Sequence, residues 1–258
     1  WEILSELYAY ASYGKGFETP TFTEMAYNTD SSKSGMNFAL KAASSDTYEL
    51  GLKSQNSFGL FTFAVFQTDT KNDIVTAGTR DGRATFRNAD QTTRQGLELS
   101  WQQTIWKELN IQSSFSYIDA EFDSYTAEIA NPNNPTTPYA KAIDKGNKIP
   151  GVAKNQAFTR IAWQPEQGFQ AGLEARYMDK IYVDDINSDT APSYTVVAAN
   201  VGYLWVNRDW KVNSYARVDN LFDRNYVGSV IVNDSNSRFF EPVDGRNFSV
   251  GMSVTKAF

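Results

Sequence analysis

The stretch "NFSVGMSVTKAF", residues 247–258, alternates between large apolar side chains and small or polar ones. Successive side chains of a β-strand point to opposite faces, so this pattern predicts a strand with one apolar face and one polar face. The apolar set consists of Phe248, Val250, Met252 and Val254. The stretch ends on an aromatic residue, Phe258, whereas chain ends are usually polar and frayed. We therefore expect this strand to be paired along its length within a larger sheet.

The same alternation recurs along most of the chain, while helical periodicity is scarce. Examples are "YELGLKS" (48–54), "RQGLELSW" (94–101), "FQAGLEARY" (169–177) and "TVVAANVGYLW" (195–205). The chain is therefore predicted to be all-β, with about ten strands. These are expected at 6–17, 44–55, 60–77, 84–104, 110–125, 151–165, 169–186, 192–206, 210–232 and 238–258.

The connections between these strands fall into two classes that alternate along the chain. The tight ones are "NSFG" (56–59), "IWKEL" (105–109), "PEQGF" (165–169) and "VNRDW" (206–210). The others are more variable, and the long ones are rich in Asn, Asp, Ser, Thr and Pro, which indicates loops. They lie at 18–43, 78–83, 126–150, 187–191 and 233–237. Short turns at one end and long loops at the other are typical of outer-membrane barrels, whose short turns are periplasmic.

An antiparallel, up-and-down transmembrane β-barrel is the predicted architecture. The apolar faces end in aromatic residues such as Trp101, Tyr177 and Trp205, as an aromatic girdle would, while the opposite faces carry charge and glycine. A soluble β-sandwich is an alternative, but its strands are usually only five or six residues long. A propeller is another alternative, but a shared blade signature is lacking. No apolar run approaches the roughly 18 residues of a membrane helix.

The composition excludes several functions. The 258 residues include no cysteine and no histidine, so Ser-His-Asp and Cys-His catalytic sets are impossible within the chain, and thiolate metal sites are excluded. The formal net charge of -6 argues against a nucleic-acid partner, which requires a basic surface. We expect no enzymatic activity and no cofactor.

Four stretches together resemble the TonB-dependent outer-membrane receptors. "ARVDNLFDRNYVGS" (216–229) is similar to the Asn-Leu-Phe-Asp signature near the C-terminus of that family. "YASYGKGFETPTFTEM" (10–25) resembles the strand and loop that open the C-terminal half, and "TTRQGLELSW" (92–101) resembles a Gly-aliphatic-Glu strand. "GRNFSVGMSVTKAF" (245–258) resembles the terminal strand with its C-terminal phenylalanine. The four stretches occur in family order and span nearly the whole chain.

The resemblance implies a multi-pass outer-membrane barrel that imports a scarce ligand and is energised through the TonB complex. Family barrels have about 22 strands around an N-terminal plug domain. With about ten strands and no recognisable plug or TonB box, residues 1–258 are expected to form the C-terminal portion of such a barrel. The resemblance also implies that Phe258 is read by the barrel-assembly machinery, and that lipid and lipopolysaccharide are partners.

Nine charged residues are predicted to face the lumen, where they would contact the missing plug or simply form a solvated wall. They are Glu49, Lys53, Arg94, Glu98, Arg160, Glu174, Arg176, Arg217 and Asp219. The family signature, which comprises Asn220, Leu221, Phe222 and Asp223, is expected to form a bend where a strand leaves the bilayer.

Ligand contacts are expected on the extracellular loops, because loops on rigid scaffolds commonly carry binding residues. The aromatic and cationic candidates are Tyr27, Phe38, Arg80, Arg83 and Arg238, which suit an anionic, planar ligand. "DINSD" (185–189) has Asp185, Asn187 and Asp189 at the spacing that opens a calcium loop, but the glycine and glutamate that such a loop requires are replaced by Thr190 and Val196. A solvated turn is the alternative for this segment.

The leading function is active import of a ferric siderophore. TonB-dependent uptake of a non-siderophore cofactor such as pyrroloquinoline quinone is an alternative within the same class. A passive porin, a soluble β-protein and an outer-membrane enzyme are alternatives from other classes, and the loops do not discriminate between possible ligands.

Overall fold

A computed structural model describes residues 1–29, 33, 35–80, 82–131, 134–234 and 236–257, with the side chains of Arg80 and of 128–140 excluded. Phe258 therefore lies outside the described residues. The elements, in chain order, are β1 (Glu2–Leu4), β2 (Leu7–Glu18), α1 (Phe22–Met25), β3 (Ala43–Asn56), β4 (Gly59–Arg80), β5 (Arg83–Ile105), β6 (Leu109–Asn131), β7 (Asn134–Ile143), β8 (Asn155–Trp163), β9 (Gly168–Met178), β10 (Ile181–Tyr182), β11 (Thr190–Ala191), β12 (Tyr194–Asn207), β13 (Trp210–Asp219), β14 (Val227–Val230), β15 (Phe240–Pro242) and β16 (Asn247–Lys256).

One antiparallel sheet organises the described part of the chain. Its strands follow the order β1-β2-β3-β4-β5-β6-β8-β9-β12-β13-β16, and β7 pairs with the outer end of β6. Each of the ten long strands on this path pairs with its neighbours in sequence, apart from the short inserted hairpins. The path begins at β1 and ends at β16, so the sheet is open. The predicted all-β, up-and-down, antiparallel architecture is confirmed.

The three largest errors in the predicted strand boundaries all lie at the loop end. The strand expected at 210–232 ends at Asp219, and the strand expected at 238–258 begins at Asn247. The strand expected at 169–186 ends at Met178. In each case the residues beyond the observed boundary include a strand of a short hairpin, β10–β11 or β14–β15, that pairs only with itself. Part of the expected loop at 126–150 is instead the β6–β7 hairpin.

The two ends of the sheet differ in their connections, as predicted. At one end, the strands are joined by tight turns at 57–58, 106–108, 164–167 and 208–209. At the other end lie most of the longer connections, and we call it the loop end. There β4, β5 and β6 reach 22 or 23 residues, about twice the 9–11 residues that a tilted strand needs to cross a bilayer. These strands are therefore much longer than a bilayer crossing requires.

One face of the sheet, which we call the apolar face, is a continuous hydrophobic band. The register places Leu52 opposite Phe63, and Phe63 opposite Leu99. At the far edge, Val250 and Phe248 are 82% and 75% exposed. Patches this large are rare on soluble monomers. At about 3.3 Å per residue and a tilt of about 40°, ten residues of a strand cover about 25 Å, the height of the lipid-facing band of a barrel.

Aromatic residues border this band at both ends. Tyr13 and Tyr48 stand opposite each other toward the loop end, with ring centroids 5.1 Å apart. Toward the turn end, Phe169 and Tyr203 pack edge to face at 5.1 Å, and Trp101 Nε1 donates to Phe58 O at 2.8 Å. Aromatic girdles at both edges of an apolar band are typical of membrane barrels, so these positions agree with the predicted architecture.

A small hydrophobic core lies at the loop end, beyond the apolar band. The rings of Phe122 and Tyr125 stack at 5.0 Å, and both are buried. The rest of the buried cluster comprises Ala89, Ala120, Ala127, Ile143 and Ile149. This core fixes the segment 144–154 against β5 and β6, so the long connections form a packed layer above the sheet.

Candidate functional site

The opposite, polar face of the sheet carries all nine charges that were predicted to face the lumen. Cross-strand pairing places these side chains on one face: Arg160 stands opposite Glu174, and Arg217 stands opposite Asn200 and Ser249. Glu174 accepts from Arg176 at 2.9 Å and from Arg217 at 3.5 Å, and Arg217 also pairs with Asp219 at 2.7 Å. The remaining four are Glu49, Lys53, Arg94 and Glu98, which occupy the same face by register.

The polar face curves around a hollow of about 540 Å³. Glu98 and Arg176 line it together with hydroxyl and amide side chains, among them Ser100, Ser116 and Gln156. The guanidinium of Arg176 also lies over the ring of Phe158, 5.6 Å from its centroid. Because both charge signs and many hydrogen-bonding groups are present, this surface suits contact with water or with a polar protein domain.

At the loop end, two of the five predicted ligand residues come together. The Arg83 guanidinium lies 4.8 Å from the centroid of the Tyr27 ring and donates to the Tyr27 hydroxyl. Both side chains are exposed, and so is Phe38, at 79%. Helix α1, which precedes Tyr27, starts with a capping box in which Thr21 and Glu24 bond each other's backbone N–H groups.

The other two ligand candidates are placed differently. Arg80 ends β4, and its side chain lies outside the described residues. Arg238 belongs to the connection between β14 and β15, where its backbone N–H donates to Asp234 Oδ2 at 2.9 Å. The structure therefore groups Tyr27 and Arg83 but does not unite the five residues in one site.

The Asn220–Asp223 signature forms a tight turn at the end of β13. Asn220 is 3% exposed and adopts a left-handed backbone conformation, with φ of 52°. Its side chain donates to Arg224 O at 2.8 Å and accepts from Arg224 N at 2.9 Å. Asp223 accepts from Arg246 N at 2.8 Å, which ties the turn to the residue that precedes β16. Leu221 N donates to Val197 O at 2.7 Å, and Phe222 is 69% exposed.

The three calcium candidates bond to different partners. Asp185 Oδ1 accepts from Asn233 Nδ2 at 3.0 Å, whereas Asp189 Oδ1 accepts from Thr190 N at 2.7 Å. Asn187 makes a two-way amide contact with the backbone of Lys148, at 2.7 and 2.8 Å. Among the described residues, no group of three or more acidic side chains is arranged to hold a metal ion.

Asparagine side chains join the long connections to one another, a role that sequence reasoning missed. Asn88 bonds the backbone of Lys41 and Asn72, and Asn147 donates to Asp185 O at 2.9 Å. Asn233 reaches the backbone of Thr76, 157 residues away, at 2.7 Å. In "VIVND" (230–234), a single Asn follows apolar residues, and this was the available signal.

No helix among the residues described is long and apolar enough to cross a membrane.

Comparison with known proteins places this geometry in a family. Residues 1–221 match the family described as "TonB dependent receptor-like, beta-barrel". The chain is 27% identical over 187 residues to the probable TonB-dependent siderophore receptor PiuA of Acinetobacter baumannii. The aligned region covers 70% of this chain and 23% of that protein. It is 26% identical over 239 residues to the vitamin B12 transporter BtuB of Photobacterium profundum, which covers 90% of this chain and 34% of that protein.

The fold agrees with a solved receptor. The crystal structure of the siderophore receptor PiuA from Acinetobacter baumannii superposes with a TM-score of 0.73 at 22% identity, over 99% of this chain and 34% of that one. The chain thus spans about a quarter to a third of the length of the curated relatives it matches. The family and the fold are those of a multi-pass outer-membrane barrel, and the apolar face has the composition that a lipid-facing surface requires. The chain belongs to the TonB-dependent receptor-like β-barrel family.

Proposed function

We propose that this chain forms ten strands of an outer-membrane receptor that imports a ferric siderophore with energy supplied through TonB. The family match over residues 1–221 carries the proposal. The named similarity to a siderophore receptor over 70% of the chain supports the ligand class. Both fit a sheet with one lipid-compatible face and one polar face, as an importing barrel requires.

The loop end is the proposed ligand-binding side. Arg83 and Tyr27 present a cation stacked on an aromatic ring, both exposed. Ferric siderophores are often anionic and carry planar chelating groups, for which guanidinium and aromatic side chains are suitable partners. Phe38 and Arg238 are also exposed at this end, and they extend the proposed surface.

The polar face is proposed to receive a plug domain supplied by a part of the receptor other than this chain. A barrel of about 22 strands encloses a lumen that must be plugged to prevent leakage. The group formed by Glu174, Arg176, Arg217 and Asp219 offers both charge signs to such a domain. TonB would act through that domain. The barrel-assembly machinery, with Phe258 as its signal, outer-membrane lipid and lipopolysaccharide are proposed as further partners.

Uptake of a non-siderophore cofactor is the second candidate. The vitamin B12 transporter is 26% identical and matches 90% of this chain, so the similarity also extends to a receptor for a large organic cofactor. Pyrroloquinoline quinone, an anionic and planar molecule, would fit the Arg83–Tyr27 pair by the same chemistry. A passive porin is disfavoured by the match to the receptor family.

The test is growth of a strain that lacks the receptor gene and is complemented with the full-length receptor. Under iron starvation, we expect complemented cells to grow on one or more ferric chelates of a hydroxamate, catecholate and mixed-ligand panel, and deleted cells to fail. Growth restored only by a quinone or corrinoid cofactor would favour the second candidate. Equal growth of both strains on every member of the panel would contradict import by this receptor.

A further inference from the structure

One connection crosses the open side of the curved sheet. The segment between β13 and β16 contains the β14–β15 hairpin, and residues 231–234 follow β14. We call β14, β15 and residues 231–234 the flap. Asn233 in this flap donates to Thr76 O of β4 at 2.7 Å. In the sheet, β13 and β4 are separated by β12, β9, β8, β6 and β5. Six steps of about 4.8 Å make about 29 Å along the sheet, so the flap must reach β4 across the concave polar face.

Asn233 is the residue through which the flap is attached at its far end. Its amide also donates to Asp185 Oδ1 at 3.0 Å, and its Oδ1 accepts from Asp185 N at 3.1 Å. Its backbone N–H donates to Val183 O at 3.0 Å. Thus one side chain and one N–H join the flap to β4 and to the connection between β9 and β12.

The backbone conformation at position 233 favours asparagine. Asn233 has φ of 56°, a left-handed conformation that asparagine tolerates better than most residues. Asp234, which follows, is 8% exposed and accepts from Asn236 N and Arg238 N at 3.0 and 2.9 Å, so the local turn is formed independently of the contact. The turn therefore holds Asn233 in the conformation that its contacts with Thr76 and Asp185 require.

Asp185, the partner of Asn233, is itself buried at a junction. It is 2% exposed, its backbone carbonyl accepts from Asn147, and its Oδ2 lies 4.0 Å from Arg87 Nη2. The buried Tyr125 hydroxyl of β6 also interacts with this carboxylate. Asp185 therefore joins the flap to β5, to β6 and to the connection that precedes β8.

The flap has little other attachment to the sheet. Strands β14 and β15 pair only with each other, so the ladder of the large sheet does not hold them. The base is fixed by the Asn220 turn and by Asp223 with Arg246. At the far end, Val232 packs beside Gly151 and adds to the Asn233 contacts. A Cβ added at Gly151 would come within 3.2 Å of Val232 Cγ2.

We propose that the flap is a lid over the polar face, hinged at the Asn220–Asp223 turn and latched at Asn233. Elements joined to a structure by few buried contacts open locally at low free energy. Losing the Asn233 bonds would release the lid from β4 while its base stays in place. Import of a large ligand past this layer requires such an opening, although the latch itself does not depend on which ligand is carried.

The test uses the purified full-length receptor in detergent, with Asn233→Asp as the latch variant. The new carboxylate would face Asp185 and could not donate to Thr76 O. Asn236→Asp is the matched control, because it makes the same charge change on an exposed residue of the same connection. The readouts are hydrogen–deuterium exchange of residues 227–234 and the rate of limited tryptic cleavage after Arg238.

For Asn233→Asp, we expect cleavage and exchange to rise roughly 30-fold, the effect of losing two or so hydrogen bonds, with Asn236→Asp unchanged. Adding Asp185→Asn to Asn233→Asp should remove the repulsion and recover part of the protection, because the bond to Thr76 O stays lost. If Asn233→Asp fails to assemble, the neutral Asn233→Ser takes its place. Equal protection in the latch and control variants would overturn the proposal. Because no readout involves uptake, that result would leave the import proposal standing.

Discussion

The phenol ring of Tyr215 lies directly over Gly251 on the polar face, where the two residues are cross-strand partners on β13 and β16. A Cβ added at Gly251 would come within 2.5 Å of Tyr215 Cε1. Tyr10 covers Gly51 in the same way, with a closest approach of 2.3 Å. Glycine in these strands therefore makes room for an aromatic ring that shields the backbone.

Gly251→Ala should destabilise the receptor, because the methyl group forces the Tyr215 ring out of its position. Overpacking of this kind costs about 1–3 kcal/mol. Gly14→Ala is the control, since a Cβ at Gly14 would meet no atom within 4 Å. The measurement is the thermal midpoint of the purified receptor in detergent. If Gly251→Ala/Tyr215→Ala were no more stable than expected from adding the two single effects, the steric explanation would be wrong.

Asn220→Ala should destabilise the turn after β13. The variant loses both hydrogen bonds to Arg224 and places alanine at φ of 52°, which together cost roughly 2–4 kcal/mol. Asn220→Gly keeps the conformation and loses only the bonds, so its thermal midpoint should lie between those of Asn220→Ala and the parent. A midpoint for Asn220→Gly at or below that of Asn220→Ala would show that backbone conformation contributes nothing here.

Val65→Arg and Ala64→Arg test which face of the sheet meets lipid. Val65 stands opposite Leu50 and Leu97 on the apolar face, whereas its neighbour Ala64 stands opposite Glu98 on the polar face. An arginine at the bilayer midplane costs about 2–4 kcal/mol, so Val65→Arg should reduce the folded receptor in the outer membrane. Ala64→Arg should assemble normally. The reverse order of folded yield, read by heat-modifiable gel mobility, would invert the assignment of the faces.

The latch at Asn233, whose partner is Asp185, should weaken as pH rises. Burial raises the pKa of Asp185 above the ordinary value, and the opposing effects of Asn233, Arg87 from β5 and Tyr125 from β6 do not cancel it; Asp184 adds to the rise. The latched state therefore holds its proton more tightly than the released state does. The latch is most stable near or below the ordinary carboxyl pKa of about 4 and loses stability as pH rises through the elevated value.

Exchange of residues 227–234, corrected for the intrinsic effect of pH, should accordingly increase above about pH 4 and then level off. Asp185→Asn, which cannot ionise, should remove this dependence. A corrected exchange rate that stays flat in the parent receptor would show that Asp185 does not control the latch.

Alternation alone was enough to predict the sheet, because a strand between lipid and a polar interior must alternate apolar and polar side chains. Leu50, Leu97 and Val201 revealed their face by this rule, and the register confirms it. The rule failed beyond the membrane. There Val227–Val230 still forms a strand, but its hairpin pairs with itself, and only long-range contacts decide that outcome.

The candidate site was less predictable for a similar reason. The pairing of Tyr27 with Arg83 and the reach of Asn233 to Thr76 join residues that are 56 and 157 positions apart. Nothing local in a loop rich in Asn and Asp distinguishes an asparagine that joins two connections from one that faces solvent. Long-range contacts at the loop end, such as those of α1 with β5 and of the flap with β4, bring such residues together.

The most direct test of the central claim is accumulation of radioactive iron, supplied as the chelate that supports growth, in cells that express the full-length receptor. We expect accumulation against the gradient in cells with TonB, and a fall to the level of receptor-deleted cells when TonB is absent or the inner membrane is de-energised. Receptor-dependent accumulation that persists unchanged without TonB would contradict energised import by this barrel.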